Sequence, residues 1–252
     1  MGNPQTPVRP QPQGSRDEGD DREEVHFYPD DKILLYIVDG KVMRRAEAWG
    51  GPPVKLPREP DDPIAAGPTH AGVFVIDGVM PYATKTWPRS RIPWGTRIRE
   101  SKNRAGQVEY EQSAGKWRRL TDKHDRPLSK SQIELWRADL YGLAAFPDTW
   151  IFNDFGPLAV RYYRDRNKNR RRDPNEPLEG EMIHTTHYNE AQAERYPDDP
   201  SKVELDDSHG CIHIKPIDRD AFTAAGAFRQ GMTLVIHTYS EHFAVHEQRD
   251  IQ

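Results

Sequence analysis

Turn-forming residues limit the length of any helix or strand in this chain. Its 252 residues include 22 prolines and 18 glycines, which divide the sequence into short apolar runs. Proline interrupts helices and sheets, and glycine favours turns. Hydrophobic residues make up 35% of the chain and charged residues 30%, so it is polar but still typical of a globular protein. We therefore predict one large domain or two small ones, with many short strands and long connections.

Most of the apolar runs are typical of β-strands. The run from Ile33 to Val38, the turn pair Asp39-Gly40 and the run from Lys41 onward predict a β-hairpin. The alternating pattern over residues 94–120 predicts a short antiparallel meander. Further strands are predicted within residues 71–78, 149–163, 179–186, 211–215 and 232–238.

Two segments have helical character. Within residues 129–143, apolar residues recur at helical spacing behind the N-cap candidates Ser129 and Ser131. These apolar residues are Ile133, Trp136, Leu140 and Leu143. Residues 218–228 can form one helix with Asp218 near its start. The sequence thus predicts a mainly β fold in which sheets combine with a few helices, two or three in number.

Composition divides the chain into three parts. Residues 1–26 combine Pro, Gln, Gly and charged residues with almost no apolar content, which predicts a disordered polar arm. One domain is expected over residues 27–240, and a C-terminal tail over residues 241–252. Within the domain, a basic insert is expected over residues 161–180 and a long loop over residues 188–207.

The basic insert has two interpretations. Five of its residues fall on the 1, 3, 5, 9 and 12 positions of a calcium-binding loop, namely Asp165, Asn167, Asn169, Asp173 and Glu176. However, Arg170 stands where such a loop requires glycine, and the five arginines and one lysine of residues 164–172 oppose a divalent cation. A solvated loop that faces anions is the other interpretation.

Charge, hydropathy and cysteine count restrict the function classes. The net charge of −4 comes from 36 basic and 40 acidic side chains, which argues against a nucleic-acid partner that needs a broad positive face. No window approaches the roughly 18 apolar residues of a membrane helix, so no membrane span is expected. A single cysteine allows no internal disulfide and leaves the redox compartment open.

That single cysteine lies between two histidines. His209, Cys211 and His213 stand at positions i, i+2 and i+4, and on a strand all three would face the same side. A histidine near a thiol can accept its proton and make it a nucleophile. A second pair, His184 and His187, lies upstream, and either can be the base.

The glycine before the cysteine suggests an anion-stabilising turn. Gly210 permits a close backbone approach, and amides at such a turn can hold a developing oxyanion. Taken together, these residues predict a nucleophilic cysteine with a histidine partner.

At this point the residues resemble a known family. Ser208-His209-Gly210-Cys211, preceded by Ile183-His184-Thr185-Thr186, resembles the active-site signature of the L,D-transpeptidase (YkuD-type) catalytic domain. Three flanking segments extend the resemblance, which covers about residues 27–238: residues 32–51, 65–77 and 214–237. It implies a mixed β-sandwich or barrel catalytic domain.

The resemblance also implies roles for individual residues. Cys211 would be the nucleophile, His184 its base, and the Thr185 backbone an orienting group for the imidazole. The Gly210 and Cys211 amides would stabilise the oxyanion, and His209 would shape the pocket. Substrate contacts are expected from Ser208, His213 and His187.

The implied reaction acts on peptidoglycan stem peptides. The thiol attacks a peptide carbonyl and forms a thioester, which an amine resolves by cross-linking or amino-acid exchange and water resolves by trimming. No metal and no organic cofactor are implied. The sequence leaves open which of these outcomes applies.

The sequence departs from the family pattern at three places. Twenty-three residues separate His184 from Ser208, more than the family usually shows, so residues 188–207 are expected to form an active-site lid or substrate-facing loop. His213 replaces the arginine or asparagine common two residues after the cysteine. Ala71 stands where the family usually has proline.

Two other functions remain open. His209, Cys211, His213 and an upstream histidine can together supply the ligands of a tetrahedral zinc site. Alternatively, the domain binds cell-wall peptides without turnover, for which the change at His213 is the only sign.

The substrate implies a location in the cell envelope or periplasm. The first residues lack the apolar segment of a secretory signal, which conflicts with that location. Three hypotheses reconcile the two: an antibacterial effector exported by a secretion machine and countered by an immunity protein, a mature form, or a misassigned start site.

Overall fold

The computed structural model describes residues 23–60 and 62–244. These residues form eleven β-strands, three α-helices and a 3-10 helix at Pro200–Lys202, which confirms the mainly β fold with a few helices. The first strands are β1 (Glu23–Tyr28), β2 (Ile33–Val38), β3 (Lys41–Trp49), β4 (Gly72–Met80), β5 (Ile98–Glu100), β6 (Val108–Ser113) and β7 (Lys116–Arg119). They are followed by α1 (Lys130–Tyr141), β8 (Ala159–Tyr163), β9 (Ile183–His184), α2 (His187–Arg195), β10 (Ile212–Ile214), α3 (Pro216–Ala224) and β11 (Thr233–Ile236).

Eight of these strands close into a barrel. Their order is β1, β11, β4, β8, β9, β10, β3 and β2, and β2 pairs with β1 to complete the ring. The pairs β1–β11 and β9–β10 are parallel, and the other neighbours are antiparallel. Closure leaves no strand of the ring with an unpaired edge.

The hairpin of β2 and β3 confirms the prediction from the turn pair. Asp39 and Gly40 both have positive φ, 50° and 75°, as a type I′ turn requires. Val38 pairs with Lys41 directly beside this turn.

Strand alternation decides which side chains enter the barrel core. The core contains Ile183 of β9 and Ile212 and Ile214 of β10, all completely buried, together with apolar residues from the other strands and Phe222 of α3. Because successive side chains on a strand point to opposite faces, His184 and His213 point away from this core. The barrel therefore directs its histidines outward.

The chain between β4 and β8 builds a second core. Strands β5, β6 and β7 form the predicted antiparallel meander, and it packs with α1. Its centre contains Ile133, Trp150 and Phe152. The strand predicted over residues 149–163 is confirmed only at 159–163, because Trp150 and Phe152 are buried in an irregular segment instead.

Side-chain caps explain two of the helices. Ser129 accepts a hydrogen bond from the backbone of Gln132 and forms a capping box with it, which starts α1 as predicted. The long loop predicted over residues 188–207 is wrong in its first part, because residues 187–195 form α2. Thr186 and Asn189 make the capping box of that helix. The predicted helix near Asp218 is present as α3.

Two boundaries differ from the sequence prediction. Strand β1 begins at Glu23, so the disordered arm predicted for residues 1–26 is wrong for its last four residues. Residues 1–22 lie outside the described residues. At the other end, Phe243 of the predicted tail is nearly buried and its N–H bonds to Asp31. Residues 245–252 of that tail also lie outside them.

The basic insert begins after β8, which occupies residues 161–163 of its predicted range. Its carboxylates bind the loop's own backbone. Glu176 accepts from the N–H groups of Arg166 and Asp173, and Asp165 accepts from that of Arg170.

No helix in the described part of the chain is long and apolar enough to cross a bilayer.

Replacing the α1 cap tests this account of the fold. Ser129→Ala should lower the free energy of unfolding by about 1 kcal/mol, because the helix loses its N-cap acceptor. Ser113→Ala, an exposed change in β6, is the control and should change it by less than about 0.5 kcal/mol. Urea unfolding measures both, and equal effects would contradict the capping role.

Candidate active site

The turn that carries Cys211 is held by the serine at its start. The N–H of Ser208 donates to the Gly50 carbonyl at 2.9 Å, and the Ser208 hydroxyl donates to the Cys211 carbonyl. The same hydroxyl accepts from the Gly210 N–H at 3.0 Å. Ser208 is therefore engaged within the turn and also lines the cavity, and its role as a substrate contact stays a prediction.

Only glycine fits at position 210. Its φ is 130°, and a Cβ there would lie 2.9 Å from Oε1 of Glu181. The group that approaches Gly210 is a side chain, and the close backbone approach stays a prediction. The predicted oxyanion role of the Gly210 amide is not supported, because its N–H already bonds to Ser208. The Cys211 amide, in contrast, has no hydrogen-bond partner among residues 23–60 and 62–244.

Parallel pairing brings the histidine of β9 beside the segment of the cysteine. His184 pairs in register with His213, and Ile183 with Ile212. Cys211 lies one residue before β10, next to Ile212. Cys211, His184 and His213 all line one cavity.

The tautomer of His184 follows from its backbone contact. Nδ1 lies 2.7 Å from the Thr185 carbonyl oxygen, which only accepts, so the proton of the neutral ring is on Nδ1. This leaves the Nε2 lone pair for another proton. Burial, and secondarily His213, lowers the pKa of His184 to about 3.

Cys211 packs in a small apolar cluster. Phe155, Ala159 and Met182 form its buried part, and the partly exposed Cys211 lies against them. Burial raises the pKa of the Cys211 thiol to about 12, and the Glu181 carboxylate contributes to the rise. The resting pair is consequently a neutral thiol and a neutral imidazole.

His209 does not share a face with Cys211 and His213. Strand β10 begins only at Ile212, so His209 lies in the turn and the i, i+2, i+4 prediction is wrong for it. Its Nε2 contacts Asp62 at 2.8 Å, and its ring packs edge-on against Trp87. His209 still lines the cavity, as a wall joined to the loop of Asp62.

His187, the second candidate base, has its basic nitrogen occupied. The Arg89 guanidinium donates to Nε2 at 2.5 Å, so the ring proton is on Nδ1, 3.5 Å from an Asp154 oxygen. Burial, with the Arg89 charge, lowers the pKa of His187 to about 3. The geometry therefore favours His184 over His187 as the base.

The cavity has a volume of about 490 Å³, which is in the range of small-molecule and peptide sites. Its walls are largely apolar, from Ile64, Tyr82, Trp87, Phe155 and Met182. Three carboxylates also line it, those of Asp154, Glu181 and Asp207.

Sequence reasoning missed the cavity walls that come from distant segments. Asp62 and His209 are 147 residues apart, and Trp87, Asp154 and Glu181 come from loops without a motif. No local pattern indicates such contacts.

The donor set does not fit zinc. No group of three or more His, Cys, Asp or Glu side chains that could hold a metal ion occurs within the described ranges. His209 turns to Asp62, and the Nδ1 atoms of His184 and His213 bond to backbone carbonyls. The zinc alternative is not supported by this arrangement.

Comparison with known proteins gives matches only among solved structures. No family model matches the chain, and no curated protein is significantly similar to it. An L,D-transpeptidase from Xylanimonas cellulosilytica is 12% identical, with a TM-score of 0.35, and the match covers 91% of this chain and 65% of that one.

Two mycobacterial structures give similar values. L,D-transpeptidase 1 of Mycobacterium tuberculosis is 14% identical with a TM-score of 0.31, covering 86% of this chain and 62% of its own. An L,D-transpeptidase of Mycobacterium smegmatis is 14% identical with a TM-score of 0.30, covering 85% and 59%. The chain thus spans less than two thirds of each protein. TM-scores this low support no conclusion about function. The function proposed below is based on the geometry of the site.

Proposed function

We propose that this protein is a cysteine acyltransferase of L,D-transpeptidase type that acts on peptidoglycan stem peptides. One observation carries the proposal: His184, whose Nε2 has no hydrogen-bond partner among the described residues, and Cys211, the only cysteine of the sequence, line one cavity. The sequence around these two residues resembles the active-site signature of the L,D-transpeptidase family, in which a cysteine and a histidine form the catalytic pair. Its substrate would place the protein in the cell envelope.

The first half-reaction couples two events at Cys211. Because the resting thiol is protonated, Sγ attacks the peptide carbonyl carbon while Nε2 of His184 takes the thiol proton. The free Cys211 amide is placed to donate to the oxyanion. When the C–N bond breaks, the imidazolium returns the proton to the leaving amine, and a thioester on Cys211 remains.

The second half-reaction regenerates the thiol. An amine or water attacks the thioester carbonyl and gives one proton to His184, which passes it to the departing Cys211 sulfur. An amine acceptor yields a new amide, by cross-linking or exchange, and water yields a free carboxylate.

One alternative is a domain that binds cell-wall peptides without turnover, and its sign is His213 in place of the family's arginine or asparagine. Only the acyltransferase forms a covalent bond at Cys211, so the mass of the protein after incubation with peptide distinguishes the two functions.

Incubation with purified stem peptides tests acyl transfer directly. Wild type should gain the mass of an acyl group on Cys211 and release cleaved or exchanged peptides, whereas Cys211→Ala should do neither. Intact-protein and peptide mass spectrometry measure both. Peptide binding without a covalent adduct would identify the non-catalytic alternative, and identical products from both proteins would exclude this cysteine.

Replacing each histidine separates the two candidate bases. His184→Gln should reduce the acylation rate by about 100-fold or more, because the thiol loses its proton acceptor. His187→Gln should have a much smaller effect, since its Nε2 is bound by Arg89. His124→Gln, an exposed change, is the control. A larger loss in His187→Gln than in His184→Gln would reverse the assignment.

The protonation state of the free enzyme predicts a pH profile for alkylation. Iodoacetamide reacts with the thiolate, and burial raises the Cys211 pKa to about 12, so the rate should rise about tenfold per pH unit from pH 7 to 10. A plateau below pH 8 would instead indicate a preformed thiolate and imidazolium.

A further inference from the structure

A buried ion pair lies behind the candidate base. Arg219 of α3 and Glu190 of α2 have side chains that are only 10% and 14% exposed, and Nη1 of Arg219 donates to Oε1 of Glu190. Neither residue lines the cavity that contains Cys211. The pair therefore cannot act by touching a substrate there.

The same carboxylate oxygen holds a side chain of the segment that follows β9. Oγ1 of Thr185 donates to Oε1 of Glu190 at 2.5 Å. Thr185 is completely buried, and a Cβ at residue 156 would lie 2.1 Å from its Oγ1, so only Gly156 leaves room for this hydroxyl. The hydroxyl thus occupies a defined site between Gly156 and Glu190.

The carbonyl of the same threonine contacts the base. It accepts the Nδ1 hydrogen of His184 at 2.7 Å, the contact that leaves Nε2 without a proton. The next residue, Thr186, is the N-cap of α2 and is bound to Asn189. The peptide that receives the imidazole hydrogen is thus attached to α2 at two successive residues.

Burying this pair is unfavourable unless both charges keep their partners. Arg219 also bonds to Asp220, but Glu190 is the link between two helices and the end of β9. The ion pair alone would be enough to hold α2 against α3. The additional hydrogen bond from Thr185 connects the pair to the residue whose carbonyl binds His184.

We propose that Glu190, held by Arg219, is a positioning residue that sets the tautomer and ring orientation of His184 through Thr185. The inference rests on the proposed function in that it gives His184 a catalytic role. No proton is transferred along this series of hydrogen bonds, which runs from Arg219 through Glu190 and Thr185 to His184. It keeps one carbonyl in the orientation that retains the hydrogen on Nδ1.

Thr185→Val tests the link while leaving the ion pair in place. It is nearly isosteric and removes the hydrogen bond to Glu190. The His184 ring should then populate both neutral tautomers, seen in nitrogen NMR of the ¹⁵N-histidine-labelled protein, with the His184 signals assigned by their loss in His184→Gln. Thr185→Ser should restore the wild-type signals. Acylation should slow by about 10- to 100-fold at unchanged peptide affinity.

Glu190→Gln should change the His184 signals in the same direction, and Glu194→Gln, an exposed change on the same helix, should leave them unaltered. If Glu190→Gln does not fold, Thr185→Val decides. An unaltered Nδ1–H tautomer in Thr185→Val overturns the proposal. The NMR result needs no turnover, so a wild type that never acylates would remove the proposed function while the positioning result still stands.

Discussion

The parallel contact between β9 and β10 is the interaction on which the site depends. The two strands have only two and three residues, yet they join β8 to β3 and so complete the barrel. Ile183 and Ile212 bury on the inner face of this contact. Burial of these isoleucines requires that the alternate positions, His184 and His213, face outward, because a shift by one residue would reverse every side chain. They face the cavity that Cys211, the residue before β10, also lines. The packing of the barrel and the geometry of the candidate catalytic pair are therefore the same constraint.

Burial keeps His184, His187 and His213 neutral. Desolvation lowers the pKa of His184 and His187 to about 3 and that of His213 to about 4. With neutral rings, the tautomers are decided by contacts, a backbone carbonyl for His184 and an arginine for His187. Both rings therefore carry their proton on Nδ1, but Nε2 of His187 is bound by Arg89, whereas Nε2 of His184 has no hydrogen-bond partner among the described residues.

Local signals were sufficient for part of the fold. The hairpin at Asp39-Gly40 and the helix behind Ser129 were predictable because a turn conformation and a cap involve neighbouring residues. Helix α2 was missed because its buried positions are His187, Asn189 and Ala191, which do not form an apolar stripe. The irregular segment around Trp150 was predicted as a strand because burial in a second core produces a similar apolar pattern.

The candidate site was predictable to a similar extent. Cys211 and His184 belong to short motifs, and the structure brings their segments together. The bond from Ser208 to Gly210 and the contact of His209 with Asp62 depend on the folded turn and on a segment far away in sequence. No sequence pattern indicates either contact.

The division of the cavity between two parts of the chain has an evolutionary consequence. Cys211 and His184 come from the barrel, whereas Trp87, Asp154 and Phe155 come from the segment between β4 and β8. Those two strands pair with each other directly, so the segment begins and ends at adjacent positions on the ring. Exchange of this segment for another of different shape would alter which molecules are admitted while the reacting atoms stay where they are. Recombination in this segment can therefore change the specificity of such a fold while Cys211 and His184 are kept.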